Sequence, residues 1–165
     1  MKINVNKFSR QNCADARIRG YRRIGDYMKD NCIFCNIIEG KIPSDIIYED
    51  GDFKVIMDIS PAAKGHAILL SKKHFENLFE LEEDIVAKAL VVAKKVALAM
   101  KEELGFDGIN LLQNNGEASG QTVFHFHIHL IPRFKEDQVE ITWIKGRYAD
   151  GDAAKVAKAI AGRIK

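Results

Sequence analysis

His125, His127 and His129 occupy every second position of Phe124-His125-Phe126-His127-Ile128-His129-Leu130-Ile131, and apolar residues fill the gaps. Three of the chain's five histidines fall in this stretch. Each is a group that can donate, accept or carry a proton near neutral pH. Two chemistries use such a row. Histidines two apart on a strand can hold zinc, and an open coordination position would make that site catalytic. An extended strand, however, places the Cα atoms of positions 125 and 129 about 13 Å apart. With Zn–N bonds of roughly 2.0 Å, two rings at most reach one ion without strain. The second chemistry is attack at phosphorus. A neutral imidazole is a good nucleophile there when an acceptor holds its other nitrogen. His127, in the middle, is the expected nucleophile, with His125 and His129 placed to stabilise charge on the equatorial oxygens.

The segment that leads into this row is polar: Asn114-Asn115-Gly116-Glu117-Ala118-Ser119-Gly120-Gln121-Thr122. Its glycines allow backbone N–H groups to approach a phosphate, and Ser119, Gln121 and Thr122 add side-chain donors. Cys32-x2-Cys35 is half of a zinc site, or a pair of buried or redox-active thiols. Its missing ligands would be His66, His74 or an outer member of the triad. Cys13 has no neighbour to pair with. Asp58, just before Ser60-Pro61, has the local sequence of a turn-capping carboxylate.

Elements must hold these groups in place. Strict alternation predicts a strand whose one face carries the three histidines and whose other face carries Phe124, Phe126, Ile128 and Leu130. Pro132 is expected to end it. Ile33, Phe34, Ile37 and Ile38 are spaced for a short helix stopped by Gly40. Ile46–Glu49 and Phe53–Met57 flank the turn Asp50-Gly51-Asp52 as a hairpin, and His66–Leu70 resumes the sheet. A long helix is expected from about Glu82 to Leu104, with Ile85, Ala89, Val92, Val96 and Met100 inward and Gly105 as its stop. Ile109–Gln113 is the next strand. A second amphipathic helix, started by Asp152, follows in the tail, where Trp143 is expected in a small satellite core. The order of elements predicts an α+β fold, its sheet mainly antiparallel with one long helix across it.

Composition narrows the class. A chain of 165 residues, nearly half of them hydrophobic, is expected to hold one domain with a real core. No run of about 18 apolar residues suggests a membrane span. An odd cysteine count of three fits a reducing, cytoplasmic compartment, and a net charge of +2 gives no reason to expect nucleic-acid binding. Residues 1–31 carry eight Lys and Arg against three acids. They fit a disordered arm, a targeting segment, or sequence upstream of a start at Met28, the last being favoured.

Ile59-Ser60-Pro61-x3-Gly65-His66-x4-Ser71-Lys72-Lys73-His74 and Asn114-x5-Gly120-Gln121-Thr122-Val123-Phe124-His125-x-His127-x-His129 resemble the histidine triad (HIT) nucleotide-binding proteins, in particular the Hint-like branch with Cys-x2-Cys. The match runs from Cys32 to about Phe134. The resemblance implies a HIT domain over 32–135, a basic extension over 1–31 and a C-terminal extension over 136–165. It implies a two-fold homodimer with a continuous sheet, the long helix and the strand near Gly108 at its interface. It implies His127 as nucleophile on the α-phosphate of a purine nucleotide conjugate, with His129, His66 and Thr122 assisting and a nucleotidyl-histidine intermediate. By the same resemblance Ile33, Phe34, Ile37 and Ile56 form the base slot and Asp58 receives the ribose hydroxyls. Asn114, Gly120 and Thr122 lie on the phosphate side, and Cys32, Cys35, His74 and His125 hold a structural Zn2+. Hydrolysis of dinucleoside polyphosphates, or nucleotide binding with little turnover, are the alternatives.

Overall fold

A computed structural model describes residues 31–164. The basic segment through residue 30, with Cys13, lies outside the described residues. Up to Lys135 the described chain is one compact unit, and from Glu136 it is another. The first unit opens with a six-residue helix, α1 (Ile33–Ile38). A hairpin follows, β1 (Ile46–Glu49) and β2 (Phe53–Met57). Its turn is fixed by Asp50, whose Oδ1 accepts the N–H groups of Asp52 and Phe53 at 2.8 and 2.7 Å. Then come β3 (Ala67–Ser71), the long helix α2 (Glu83–Leu104), β4 (Gly108–Leu112) and β5 (His127–Arg133). The strands form one sheet in the order β1-β2-β3-β5-β4, and every pair is antiparallel. This is the expected α+β architecture.

The pleat of the sheet separates two kinds of interior. Phe53, Val55, Leu69, Ile128 and Leu130 point to one side and pack under Ala89, Val92, Ala93, Val96 and Met100 of α2. The small alanines let helix and sheet approach closely. Gly105, in the left-handed region at φ 64°, stops α2 where the sequence placed the stop. On the other side, Ile56, Ile68 and Leu70 pack against Phe34, Cys35 and Ile37 of α1. The triad strand therefore has a dry core beneath it and a small helix above it. Strand β4 is an edge of the sheet, and Leu111 on it is exposed, as are Leu90, Val91 and Leu98 on α2.

Three local expectations fail. The triad strand begins at His127, not Phe124, because the His125 N–H bonds back to the Val123 carbonyl at 2.9 Å and curls the chain. Phe124 is consequently absent from the core cluster that holds Phe126, Ile128 and Leu130. Pro132 does not end the strand. The ladder to β3 stops at Ala67 opposite Leu130, while β4 bonds to Arg133, whose carbonyl accepts the Asp107 N–H at 2.8 Å. The proline's missing donor thus interrupts nothing. In the second unit, α3 (Asp152–Ala161) is preceded by Gly151 in the left-handed region, so Asp152 is a first-turn acid and not the cap. Trp143 there is 79% exposed and belongs to no satellite core. No helix among the described residues is long and apolar enough to cross a membrane.

Gly65, immediately before His66, has φ +88°, and a Cβ there would lie 2.3 Å from Leu104 Cδ1 at the end of α2. Gly65→Ala should therefore cost about 1–2 kcal/mol from the backbone alone, with Leu104 displaced as well. A urea midpoint equal to that of the parent chain would contradict this account.

Candidate active site

β5 delivers His127 and His129 to the α1 side of the sheet, two residues apart, with ring centroids 5.1 Å from each other. β3 brings His66 alongside, because Ile68 is paired with His129 in the β3–β5 register. His125 lies outside the regular strand, so its ring turns away toward the cysteines. The expectation of imidazoles flanking His127 on both sides is thus met on one side only. On the other, His125 presents its carbonyl.

Backbone partners fix the proton on three of these rings. A carbonyl can only accept. The bond of 2.6 Å between His127 Nδ1 and the His125 carbonyl therefore puts a proton on Nδ1 and leaves Nε2 as a bare lone pair. His125 Nε2 lies 2.7 Å from the Ser71 carbonyl, so its Nδ1 is the bare nitrogen. An N–H can only donate. Ala62 N–H reaches His66 Nδ1 at 3.0 Å, so neutral His66 carries its proton on Nε2. That proton is donated to His129 Nδ1 at 2.9 Å, which leaves His129 with its own proton on Nε2. The four rings thus alternate in role by geometry alone.

Burial sets their charge. Desolvation pushes His127 below the ordinary histidine value, against the upward pulls of its bond to the His125 carbonyl and of Asp58. His129 is pushed down to about 4, first by burial and then by the neighbouring His127 and His66. His66 is lowered by burial and raised in part by Asp58. At neutral pH the row is uncharged, so its neighbouring rings do not repel one another.

The nucleophile-like Nε2 belongs to a ring on the wall of a cavity of about 290 Å3, close to the lower end for small-molecule sites (roughly 300–1,000 Å3). Ile33, Phe34, Ile37 and Ile56 form an apolar part of that wall, and Phe34 meets the His127 ring edge-on at 5.1 Å. Asp58, Thr122, His127 and His129 are among its polar members. Asp58 caps its turn as the local sequence predicts, and it also lines the cavity. Its Oδ1 caps the turn through the Ser60 N–H at 2.8 Å, and its Oδ2 stands 3.5 Å from His66 Nε2. Ile42, Pro43, Ser44, Ile59 and Ile68 also line the cavity. Sequence reasoning missed them, although Ile68 was reachable by counting two from His66 along its strand.

The loop before the triad does less direct work than its composition suggests. Gln121 is buried and committed to the protein. Its Nε2 donates to the carbonyls of Glu76 and Val123 at 2.7 and 3.1 Å, and its Oε1 accepts the Gly116 N–H at 2.7 Å. It staples the loop and offers nothing to a ligand. Ser119 bonds to the Gly116 carbonyl. Asn114 and Gly120 face each other, a Cβ on Gly120 falling 3.6 Å from Asn114 Nδ2, and neither lines the cavity. His66 stands behind His129 and not in the wall.

Cys32, Cys35, His74 and His125 converge on one point, their ligand atoms all within 4.8 Å of one another. Cys32 Sγ and Cys35 Sγ lie 3.4 and 3.5 Å from His125 Nδ1, and Cys35 Sγ lies 3.3 Å from His74 Nδ1. Tetrahedral zinc with bonds of about 2.3 Å to sulfur and 2.0 Å to nitrogen spaces such atoms roughly 3.5 Å apart. The bare Nδ1 of His125 is the nitrogen that faces the thiols. The residues fit the ion. A second group, Asp58, His66 and His129, has its ligand atoms equally close together. It fits a cation poorly, because the Ala62 N–H occupies His66 Nδ1 and forces a proton onto the nitrogen that would ligate.

Fold and site together define a protein built around a histidine row under a small helix whose two thiols could hold a metal with His74 and His125. Residues 39–136 match the HIT domain family, and the chain belongs to it. It is 39% identical to Protein hit of Bacillus subtilis over 138 residues, covering 82% of this chain and 95% of that one. It is 38% identical to Adenylylsulfatase HINT3 of Arabidopsis thaliana over 110 residues, covering 67% and 56%. The crystal structure of a Zn-bound histidine triad family protein from Mycobacterium smegmatis superposes with a TM-score of 0.65 at 33% identity, covering 82% of this chain and 99% of that one.

Two outcomes follow from this geometry. Chelation, or His74→Ala, should lower stability by about 3 kcal/mol, roughly 10 °C in the thermal midpoint, and one zinc per chain should be measurable in the parent protein. His129 titrates below its unfolded value of about 6.5, so its contribution to stability is complete above that pH and is lost as pH falls toward about 4. The fall in urea stability between those limits should be shallower in His129→Asn, and the parent's imidazole 15N shifts should show a neutral ring at pH 6.

Proposed function

We propose that this chain binds a purine nucleotide conjugate and hydrolyses it at the α-phosphate through a nucleotidyl group carried on His127. The observation that carries the reading is the unprotonated Nε2 of His127, held by the 2.6 Å bond on its other side and set in the cavity wall. Kinship with a protein named adenylylsulfatase supports a nucleotide conjugate as the substrate class.

In this reading the base enters between Ile33, Phe34, Ile37 and Ile56, and the ribose hydroxyls donate to Asp58. Thr122, with Asn114 and Gly120 behind it, holds the phosphate side. The lone pair on His127 Nε2 forms the P–N bond as the bond from phosphorus to the leaving group breaks. The departing group takes that electron pair and a proton from solvent, and the N–H that His66 keeps on His129 Nε2 donates a hydrogen bond to it as it leaves. Positive charge that develops on His127 is stabilised at Nδ1 by the His125 carbonyl. Water then attacks phosphorus, the P–N bond breaks, and a nucleoside monophosphate leaves. A zinc ion held by Cys32, Cys35, His74 and His125 would have four protein ligands and brace this strand from behind. The exposed edge of β4, with Leu111 and the outward Leu90, Val91 and Leu98 of α2, is the surface on which a second copy would extend the sheet.

Rapid quench in alkaline detergent with an adenylate labelled at phosphorus should trap one labelled, acid-labile group per His127. His127→Ala should lose at least about 10³-fold in turnover yet still bind the monophosphate. No trapped label, with binding intact, would leave a binding module and remove the enzyme. Because the nucleophile must be neutral and its pKa is depressed, the acid limb of kcat/KM should have its midpoint below the ordinary histidine value of about 6.5. Leu98→Arg should convert a dimer to monomers in sedimentation equilibrium, and an unchanged mass would remove this interface.

A further inference from the structure

The most unusual buried group outside the histidine row is Lys54. It is the second residue of β2, between Phe53 and Val55, and is 5% exposed. The pleat puts Phe53 and Val55 under α2 and turns Lys54 and Ile56 to the α1 side. An ammonium taken out of water is costly unless each of its protons finds an acceptor. This one has three protons and three acceptors. Nζ lies 3.4 Å from the Ile37 carbonyl, 3.4 Å from the Ile38 carbonyl and 3.5 Å from Glu49 Oε2. Glu49 is in turn held by Lys72 at 2.7 Å.

The two carbonyls are those of the last turn of α1. That helix cannot stand by itself. It has six residues, no side-chain bond at its Cys32 cap, no acid in its first turn and no base in its last. Helices shorter than about 12 residues do not persist alone in water. It is held from outside at both ends. Cys32 and Cys35 tie its start to His74 and His125, and Lys54 ties its end to β2. Between the two anchors lie Ile33, Phe34 and Ile37, which line the cavity. A leucine or methionine at position 54 would join Ile56, Ile68 and Leu70 without any desolvation cost. What the ammonium adds is direction, because it fixes where two particular carbonyls stand.

We propose that Lys54 is a positioning residue for base recognition, its ammonium pinning the C-terminal turn of α1 so that Ile33, Phe34 and Ile37 form a slot of fixed width. This rests on the nucleotide reading above. Lys54 touches no ligand and acts through the helix.

The test uses the full chain with zinc bound. Lys54→Met replaces the ammonium with an apolar group of similar length, and Lys54→Gln keeps two donors on a shorter stem. If Lys54→Met does not fold, Lys54→Gln is read by the same criteria. The folded variant should keep its zinc. Its backbone amides over residues 36–42 should exchange with deuterium about tenfold faster, and its Kd for adenosine monophosphate should rise about tenfold, as expected for the loss of a charged hydrogen bond. The value of kcat at saturation should stay within about twofold. Ribose 5-phosphate, which lacks the base, should bind parent and variant alike. Equal affinity for adenosine monophosphate in parent and variant overturns the inference and leaves the nucleotide reading standing. Equal weakening of both ligands, or loss of zinc, also overturns it, since Lys54 would then support the whole site. A parent chain that binds no adenosine monophosphate removes the nucleotide reading and this inference with it.

Discussion

The bond from His127 Nδ1–H to the His125 carbonyl, at 2.6 Å, is the interaction on which the two halves of the site depend. It joins the ring that bears the free lone pair to the residue whose own ring faces two thiols. His125 serves both because the chain curls just before it, through the bond between its N–H and the Val123 carbonyl. Ring and carbonyl then point in different directions. A regular strand would have put the His125 ring beside that of His127 and left the cysteines without their second imidazole. A buried N–H without this partner would cost about 1–3 kcal/mol, so the tautomer of His127 is held by the fold itself.

Burial does the rest. Solvent is kept from the row by α1 above and by the packed face of the sheet below, and desolvation outweighs every stabilising carbonyl and carboxylate in setting the charge. The rings stay neutral, which is the state a nucleophile requires. Asp58 opposes this effect on His66, His127 and His129 without reversing it. The small helix that excludes water also carries, with its cap Cys32, the two thiols that face His125 and part of the apolar wall of the cavity. Three jobs fall on this short segment, and outside anchors hold it.

The elements were legible wherever one periodicity ran without interruption. Val92, Val96 and Met100 repeat at helical spacing and form the buried face of α2, and Gly105 stops that helix at positive φ. Alternation placed Ile128 and Leu130 in the core and His127 and His129 on the opposite face. The same rule failed at Phe124, where a two-residue turn breaks the pleat, and at Pro132, where neighbouring strands of unequal length leave no bond to lose. Composition misled at Gln121. A polar residue in a glycine-containing loop looks available to a ligand, yet three bonds to the protein consume its amide.

Spacing along the chain determined by itself which residues share a face, since the geometry of a strand or helix repeats every two or 3.6 residues whatever lies around it. It thus named the histidine row, the apolar side of α1 and the inward stripe of α2. Only the tertiary structure decided which rings meet. Cys32 meets His125 across 93 residues, and His66 meets His129 across 63. The first follows from the packing of α1 on the sheet and the second from the β3–β5 register, and both are settled by the burial of whole faces against one another. Proton positions and charges were decided there too, because a tautomer is set by whichever backbone group the fold brings within 3 Å of a ring, and no local pattern encodes that neighbour.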